Sequence, residues 1–336
     1  MVRLGLIGCG MAVQRLHWPV LKQLRREVKV VALARKDHKE AEAIAARENI
    51  GRVYADYKEL LQDRDVDAVL IAVPIALNGT VLLDSLAANK HVMAEKPIAA
   101  SLKEARSIVQ ETEKCRRQIV LIGENFRYRR SLVKAKELID SDRIGKVFSF
   151  QLKVNFDITS KARQPWISRN WRHKASHLGG FILDAGVHPV AALRDVLGEV
   201  DRVWARTLDV SDVLNGPDSL LMQVQMKSGV TGQCFFCYTA KEYPENGLDF
   251  AIYGTEGVLR VGHGILAVSS GADPRVQTFQ TKDREYVGQW KNFCASIRGE
   301  ERVLSTTRAA YGDLAVIDAA LRSSVNAQPC SVHALR

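Results

Sequence analysis

A glycine-rich turn near the start of the chain, between an apolar run and an amphipathic segment, most limits what this sequence can fold into. Residues 2–7 form an apolar run typical of a buried strand, and the segment after the turn repeats apolar residues at helical spacing. Gly8 allows a tight turn out of the strand, and Gly10 lets the backbone approach a pyrophosphate. The helix predicted over 14–24 offers the backbone N–H groups of its N-terminus to that anion. The turn therefore predicts a dinucleotide site, and a purely structural turn is the alternative that these residues leave open.

Apolar runs alternate with helical segments through the first part of the chain. Strands are predicted at 28–34, 67–73 and 91–94, and helices at 37–47, 78–88 and 101–115. Ser101 and Glu104 form a capping box at the start of the last of these helices. Strands that alternate with helices of this length pair in parallel. The sequence therefore predicts an α/β Rossmann domain with a doubly wound parallel sheet over residues 1–123.

The pattern changes beyond residue 122, where strands follow one another without helices between most of them. They are predicted at 147–157, 201–211, 219–227, 230–239, 248–254 and 257–261. Such a run indicates a largely antiparallel sheet, half-buried on each face. We therefore expect residues 124–336 to form a second, α+β domain with a large, mostly antiparallel sheet. The final helix, predicted over 306–324, is expected to pack back on the N-terminal domain.

A lysine follows the predicted strand at 91–94, within the sequence Glu95-Lys96-Pro97-Ile98. Ligands of open parallel sheets bind outside the carboxyl ends of the strands, which places Lys96 at the cofactor crevice. The alternative is a solvated loop lysine paired with Glu95, because most lysines are exposed.

Asp184 and His188 are polar residues within a mostly apolar segment of the second domain. Proline is tolerated in the first turn of a helix but clashes deeper inside it, so Pro189 predicts a helix that begins near 186–189 and ends at Leu197. If the chain is already helical at Asp184, the four-residue spacing puts both side chains on one face. The alternative is that Asp184 caps the helix and His188 is a buried core residue.

Four segments together resemble one known family. GCGMAVQRLHWPVL, AVPIALN, NKHVMAEKPIA and GGFILDAGVH match, in order and spacing, the oxidoreductases named after glucose-fructose oxidoreductase, inositol 2-dehydrogenase and the rhizopine catabolism protein (Gfo/Idh/MocA). The resemblance implies that Lys96, Asp184 and His188 are catalytic. It also implies that the second domain binds the substrate and forms a homodimer or homotetramer through the outer face of its sheet.

The resemblance implies further contacts. The residues expected to bind the cofactor are Gly8, Gly10, Met11, Ala12, Arg35, Lys36, Val73, Pro74, Asn78, Glu95, Lys96 and Asn125, and those expected to bind the substrate are Arg127, Trp171 and Arg172. For the arginines a solvated loop, and for Trp171 a hydrophobic lid, are the alternatives.

The chemistry of hydride transfer explains why a lysine, an aspartate and a histidine would be needed. Oxidation of a secondary alcohol removes a hydride from carbon and a proton from oxygen, so a group that titrates near neutral pH should contact the oxygen. We assign His188 as the general acid/base and Asp184 as the carboxylate that orients it. Lys96 would hydrogen-bond the reacting oxygen and favour its developing negative charge. Whether Lys96 or His188 carries most of the proton transfer stays open.

Three positions depart from the pattern that is usual in the family. Val13 replaces the third glycine of the turn, Ala191 replaces an acid three residues after the histidine, and Asn78 replaces a histidine after the predicted strand at 67–73. Because Ala191 removes a polar substrate contact, dehydrogenation of inositol is disfavoured. The main hypothesis is an NAD(P)-dependent oxidoreductase acting on a sugar, polyol or related hydroxyl or carbonyl compound. An NAD-dependent glycosidase and a non-catalytic dinucleotide-binding sensor are the alternatives.

The end of the second strand bears on cofactor choice. NAD enzymes place an acid there to bind the ribose 2′-hydroxyl, whereas this chain has Arg35 followed by Lys36. A guanidinium binds a phosphate bidentately and Lys36 adds a second positive charge. We therefore predict that NADP(H) is preferred over NAD(H), with Asp37, an expected helix cap, as the opposing consideration.

Charge, hydropathy and cysteine spacing limit the partners, the cellular location and the metal sites that we expect for this chain. The net charge of +10 suggests affinity for anions, but the basic residues are dispersed over the 336 residues, which disfavours nucleic acid as a partner. No apolar stretch is long enough to cross a bilayer, and the first strand leaves no room for a signal peptide, so a cytoplasmic enzyme without a membrane partner is expected. Cys234 and Cys237 point to opposite faces of a predicted strand and cannot share a metal, so no metal site is expected.

Overall fold

The computed structural model forms two compact units. It describes residues 1–115, 117–160, 164–167, 179–241, 247–262, 264–271, 273–280 and 284–335. The first unit consists of Met1–Glu124 and Tyr286–Tyr311, and the second of Asn125–Glu285 and Gly312–Arg336.

The first unit contains a six-stranded parallel sheet. Its strands are β1 (Val2–Ile7), β2 (Val28–Ala34), β3 (Arg52–Tyr54), β4 (Ala68–Ile71), β5 (His91–Ala94) and β6 (Val120–Ile122). They lie in the order β3-β2-β1-β4-β5-β6, so the order reverses between β1 and β4. Strand β4, at the centre of the sheet, is apolar and buried at every position, as expected for a strand that is covered on both faces. This sheet confirms the predicted doubly wound fold class.

Helices connect these strands. They are a π-helical turn (Val13–His17), α1 (Trp18–Gln23), α2 (His38–Glu48), α3 (Tyr57–Gln62), α4 (Ile75–Ala87) and α5 (Leu102–Lys114). The predicted cap of α5 is confirmed, because Ser101 Oγ accepts a hydrogen bond from the N–H of Glu104 at 3.3 Å. The Glu104 carboxylate accepts from the N–H of Ala100 at 3.0 Å, one residue earlier than a capping box requires.

The second unit contains a nine-stranded sheet. Its strands are β7 (Val147–Asn155), β8 (Val200–Leu208), β9 (Ser219–Met226), β10 (Thr231–Cys237), β11 (Gly247–Gly254), β12 (Gly257–Gly262), β13 (Ile265–Ser270), β14 (Asp273–Gln280) and β15 (Cys330–Ser331). Their order is β14-β13-β12-β11-β7-β10-β9-β8-β15, and every pairing is antiparallel except that of β10 with β7. The predicted mostly antiparallel sheet is confirmed. The sequence analysis did not find β13, β14 and β15.

Within the residues that the structure describes, the remaining helices are a short 3-10 helix (Asn125–Tyr128), α6 (Arg130–Asp140), α7 (Gln164–Ile167), α8 (Gly180–Leu197), α9 (Glu285–Ile297) and α10 (Thr307–Asn326). The predicted start of α8 near 186–189 is wrong, because the helix begins at Gly180 and contains Pro189 in its interior. Pro189 removes one N–H, but nearly all of α8 is buried, and packing of a buried helix outweighs such a local cost.

The last helix, which we expected to pack on the N-terminal domain, is divided between the two units: residues 307–311 belong to the first, where Thr307 Oγ1 lies 2.8 Å from Thr112 Oγ1. Residues 312–326 of α10 belong to the second unit, where Ser323 Oγ accepts from the N–H of Ala205 at 2.9 Å. The segment that belongs to the first unit is Tyr286–Tyr311, which includes nearly all of α9. The sequence predicted the final helix, over 306–324, but not α9, and apolar spacing along a helix does not record which sheet the helix covers. Among the described residues, we find no helix with the length and hydropathy needed to span a membrane.

Candidate active site

The glycine turn after β1 has the geometry that its residues predict. Gly8 has a φ of 79°, and a Cβ added there would lie 2.4 Å from the carbonyl oxygen of Ala72, so only glycine fits. A Cβ added at Gly10 would meet nothing within 4 Å, so the space in front of this residue is open. Val73 lies against the turn, with its Cγ1 3.3 Å from the Cβ position built on Gly8.

The helix after the turn begins with a π-helical turn. Met11 and Ala12 are half-buried at its start, whereas Val13 is fully buried. The N–H of Trp18 bonds to the carbonyl of Val13, which widens the first turn of the helix. The wide turn coincides with Val13, the residue that replaces the third glycine of the usual fingerprint.

Arg35 reaches back from the end of β2 to the glycine turn. Its Nη1 donates to the carbonyl of Cys9 at 3.0 Å, and its Nη2 pairs with the carboxylate of Glu40 in the first turn of α2. The buried Nε of Arg35 has no hydrogen-bond partner among the described residues. Lys36 is exposed, and Asp37 caps α2 by accepting from the N–H of Glu40. The guanidinium is therefore held beside the turn by a carbonyl and a carboxylate.

Lys96 lies in a tightly held turn after β5. Asn78 Nδ2 donates to the carbonyl of Glu95 at 2.6 Å and to that of Pro97 at 2.9 Å. The Glu95 carboxylate accepts from the N–H of Lys96 at 3.2 Å. Asn78, which we predicted as a cofactor contact, is buried. Its side-chain amide binds the two backbone carbonyls that flank Lys96. Its buried Oδ1 has no partner among the described residues, and Pro74, at the N-terminus of the same helix, is exposed.

In the second unit, α8 presents Asp184 and His188 on one face, one turn apart. Asp184 is buried and His188 is half-buried. The imidazole of His188 stacks on the ring of Phe126, with centroids 4.9 Å apart and an interplanar angle of 21°. The guanidinium of Arg129 covers that ring, 3.4 Å from its centroid. The helix therefore continues through Asp184, and an aromatic stack fixes the plane of the His188 ring.

Tyr238 is a further buried polar residue in this part of the second unit. It is fully buried next to the rings of Phe156 and Phe181. Burial, with a smaller contribution from the charge of Asp184, raises the pKa of its phenol above the ordinary value. Its hydroxyl has no hydrogen-bond partner among the described residues. The sequence analysis missed Tyr238 because it alternates with core residues of β10 and looks like one of them.

Arg127 forms ion pairs within a buried network of charged side chains. Its Nη2 donates to Asp313 at 2.5 Å and its Nη1 to Asp195, while Arg194 pairs with the other oxygen of Asp313. Burial raises the pKa of Asp195 to about 6, although the charge of Arg127 lowers it. The guanidinium that we predicted to contact substrate is thus bound by two carboxylates.

Two further predicted contacts have different outcomes. Asn125 is buried and lies in the 3-10 helix, where its Nδ2 donates to Glu285 at 3.4 Å. Trp171 and Arg172 lie outside the described residues. The structure thus describes every predicted cofactor residue, but among the predicted substrate residues only Arg127.

Comparison with known proteins decides the family. The profile of the Gfo/Idh/MocA oxidoreductase family, described as having an NAD-binding Rossmann fold, matches residues 2–123, and the profile of its C-terminal domain matches residues 132–260. The chain belongs to this family. It is a nicotinamide-dependent oxidoreductase, which confirms the class predicted from the sequence.

Several relatives span most of the chain. D-apiose dehydrogenase of Rhizobium rhizogenes is 25% identical over 98% of this chain and 97% of its own length. The 1,5-anhydro-D-fructose reductase of Ensifer adhaerens is 29% identical over 79% of this chain and 77% of its own length. The crystal structure of an oxidoreductase from Thermotoga maritima is 31% identical, with a TM-score of 0.89 over 98% of both chains.

The residues of the first unit fit a nicotinamide dinucleotide. The open space in front of Gly10, which a Cβ would fill, suits a pyrophosphate at a helix N-terminus. The unpartnered Nε of Arg35 and Oδ1 of Asn78 are a donor and an acceptor near the two turns. These features support the predicted cofactor contacts of the glycine turn and of the Lys96 turn.

Proposed function

We propose that this chain transfers a hydride between a nicotinamide cofactor and a hydroxyl or carbonyl carbon of a sugar, polyol or related compound. The substrate class is supported by relatives named as a D-apiose dehydrogenase and a 1,5-anhydro-D-fructose reductase. The bound cofactor supplies the hydride acceptor or donor. The protein must therefore hold the reacting oxygen and move its proton.

Lys96, Asp184 and His188 carry this chemistry in the proposal. His188 takes the hydroxyl proton during oxidation and returns it during reduction. The buried carboxylate of Asp184, one turn away on the same helix face, stabilises the imidazolium that forms. Lys96 donates a hydrogen bond to the reacting oxygen, where negative charge develops. The one-turn spacing of Asp184 and His188 on α8 is the observation that carries the proposal.

A screen of sugars, anhydro sugars, inositols, diketones and dihydrodiols tests the substrate class. Each compound is incubated with the protein and either cofactor, and nicotinamide absorbance is followed. We expect turnover with at least one sugar or polyol, and weak turnover of inositols because Ala191 supplies no polar contact. Turnover confined to diketones or dihydrodiols would contradict the sugar assignment.

For the cofactor, we predict a preference for NADP(H) that depends on Arg35. A 2′-phosphate would accept charge-assisted hydrogen bonds from the guanidinium, whereas Glu40 competes for the same group. Arg35→Asp should weaken NADPH binding about 10- to 100-fold and NADH binding far less. Glu40→Gln should strengthen NADPH binding, because it releases the guanidinium. Fluorescence titration of both cofactors at moderate salt measures these effects.

The matched control is Arg26→Asp. It makes the same charge change in the first unit, but Arg26 is exposed and precedes the amino end of β2, whereas ligands bind at the carboxyl ends. It should change the binding of both cofactors little. Tighter binding of NADH than of NADPH by the unmodified protein would refute the preference.

A homodimer or homotetramer is proposed through the outer face of the nine-stranded sheet. Trp204, Leu221 and Phe235 are exposed on neighbouring strands, with Leu221 directly opposite Phe235 in the register. A glutamine row crosses the same face, since Gln223 pairs with Gln233 and Gln233 with Gln151. Apolar and polar side chains, with Arg206 opposite Leu221 and Lys153 opposite Phe235, cover this broad face and suit a self-complementary interface between two copies.

The double variant Leu221→Glu/Phe235→Glu tests the interface. The variant would bring four carboxylates together across a two-fold axis, and their repulsion should make the protein monomeric. Light scattering at micromolar concentration measures the mass of the assembly. Val133→Glu, an exposed apolar residue on α6, is the control and should leave the assembly intact. A monomeric unmodified protein would refute the proposal. A cytoplasmic location and the lack of a nucleic-acid partner stay predictions.

A further inference from the structure

His17 is a buried imidazole outside the proposed catalytic set. It ends the π-helical turn that follows the glycine turn, and its side chain is fully buried. Both ring nitrogens have partners within the first unit: Nε2 lies 2.6 Å from Glu95 Oε1, and Nδ1 lies 3.1 Å from Trp290 Nε1. The rings of Tyr286 and Trp290 pack edge-on against the imidazole, with centroids 5.5 Å and 5.9 Å away. The ring therefore has a fixed position and orientation.

The partner of Nδ1 determines where the imidazole carries its proton. An indole nitrogen is a donor only, so Trp290 Nε1–H must donate to Nδ1 and Nδ1 must be an acceptor. The remaining ring proton is then on Nε2, which donates to the carboxylate of Glu95. His17 thus orients this carboxylate as a neutral donor and leaves its negative charge intact.

Glu95 transmits this orientation to the residue next to it. One of its oxygens, Oε1, is bound by His17, and the other, Oε2, accepts from the backbone N–H of Lys96. A carboxylate fixed at both oxygens cannot rotate. It therefore fixes the direction of the Lys96 N–H and holds a negative charge at the base of the lysine.

We propose that His17 is a positioning residue for the reaction, acting through Glu95 on the turn that carries Lys96. The inference rests on the proposed function of Lys96. His17 contacts neither substrate nor the reacting atoms in this account. Its loss should therefore lower kcat and leave the KM for the sugar or polyol nearly unchanged.

Two substitutions separate the contacts of His17. In His17→Gln, the amide nitrogen takes the place of Nε2 and keeps the bond to Glu95, while the acceptor for Trp290 is lost. In His17→Asn, the amide oxygen takes the place of Nδ1 and keeps the bond from Trp290, while the donor to Glu95 is lost. Each variant loses one buried hydrogen bond, so thermal unfolding should show similar decreases in Tm.

The experiment measures kcat, KM and Tm of both variants, using the sugar or polyol with the fastest turnover in the screen. We expect kcat to fall about 10- to 100-fold in His17→Asn and to stay near the unmodified value in His17→Gln. NMR of the imidazole nitrogens should show the proton on Nε2, and fluorescence titration should show that NADPH still binds both variants. Equal kcat losses in the two variants, or losses that follow Tm, would overturn the inference. An unmodified protein without hydride transfer would overturn the proposed function as well.

Discussion

Replacement of His188 by alanine is expected to lower turnover by about 100-fold or more, a typical contribution of a general acid/base. The imidazole is held in one plane by its stack on Phe126. Without it, the hydroxyl proton loses the acceptor that the proposed mechanism assigns to it. Steady-state kinetics with the best substrate of the screen measures the loss, and cofactor titration should show unchanged dinucleotide binding.

Two companion variants extend the test. Asp184→Asn and Lys96→Ala should each lower turnover on the same scale, because one loses the charge that stabilises the imidazolium and the other loses the donor to the reacting oxygen. The control is His333→Ala, which removes an exposed histidine of the second unit. Turnover of His188→Ala close to that of the control, with any true substrate, would end the acid/base assignment.

Replacement of Asp313 by asparagine is expected to destabilise the protein by about 3–5 kcal/mol. Asp313 is buried and accepts from two guanidiniums, those of Arg127 and Arg194. An amide of the same shape leaves both positive charges without this partner in a desolvated site, although Asp195 and Glu199 still pair with one guanidinium each. A Cβ at Gly312 would lie 2.2 Å from Arg194 Nη2, so the adjacent glycine admits the network.

Urea unfolding of Asp313→Asn and of a matched control measures this effect. Asp318→Asn lies on the same helix, and its ion pair with Arg322 is partly exposed. It should cost less than about 1 kcal/mol, as partly exposed pairs do. If the two variants lost equal amounts of unfolding free energy, the result would contradict a structural role of Arg127 in the buried ion network. Arg127 would then again be a candidate for substrate contact.

The sequence predicted the fold where local pattern determines it. Alternation of apolar strands with helices in the first unit determined the parallel sheet, and the glycine turn required Gly8 because a Cβ there meets the carbonyl of Ala72. Pro189 misled the placement of α8, since a local rule about proline was outweighed by packing along the whole helix. Strand β14, at one edge of its sheet, lacks the regular apolar alternation of central strands.

The candidate site was predictable in its residue types but not in its supporting contacts. Lys96, Asp184 and His188 were predicted as catalytic because motif and chemistry agree, and this assignment stays a prediction. The roles of Arg127 and Asn78 depend on partners far along the chain, such as Asp313, 186 positions from Arg127. His17 is 273 positions from Trp290, and on the sequence it is only a histidine in a helical segment. Such pairings form in three dimensions, and spacing along one sequence does not record them.

Direct hydride transfer that depends on Lys96 and His188 is tested most directly by following deuterium from the substrate to the cofactor. A sugar or polyol deuterated at the carbinol carbon is oxidised with NADP⁺ or NAD⁺, and the reduced cofactor is analysed by mass spectrometry. We expect one deuterium in each reduced nicotinamide, and a loss of this transfer in Lys96→Ala and in His188→Ala, with cofactor binding unchanged in His188→Ala. Hydrolysis of glycosides with no net change of the cofactor, or cofactor binding with no transfer to or from any hydroxyl compound, would contradict the account.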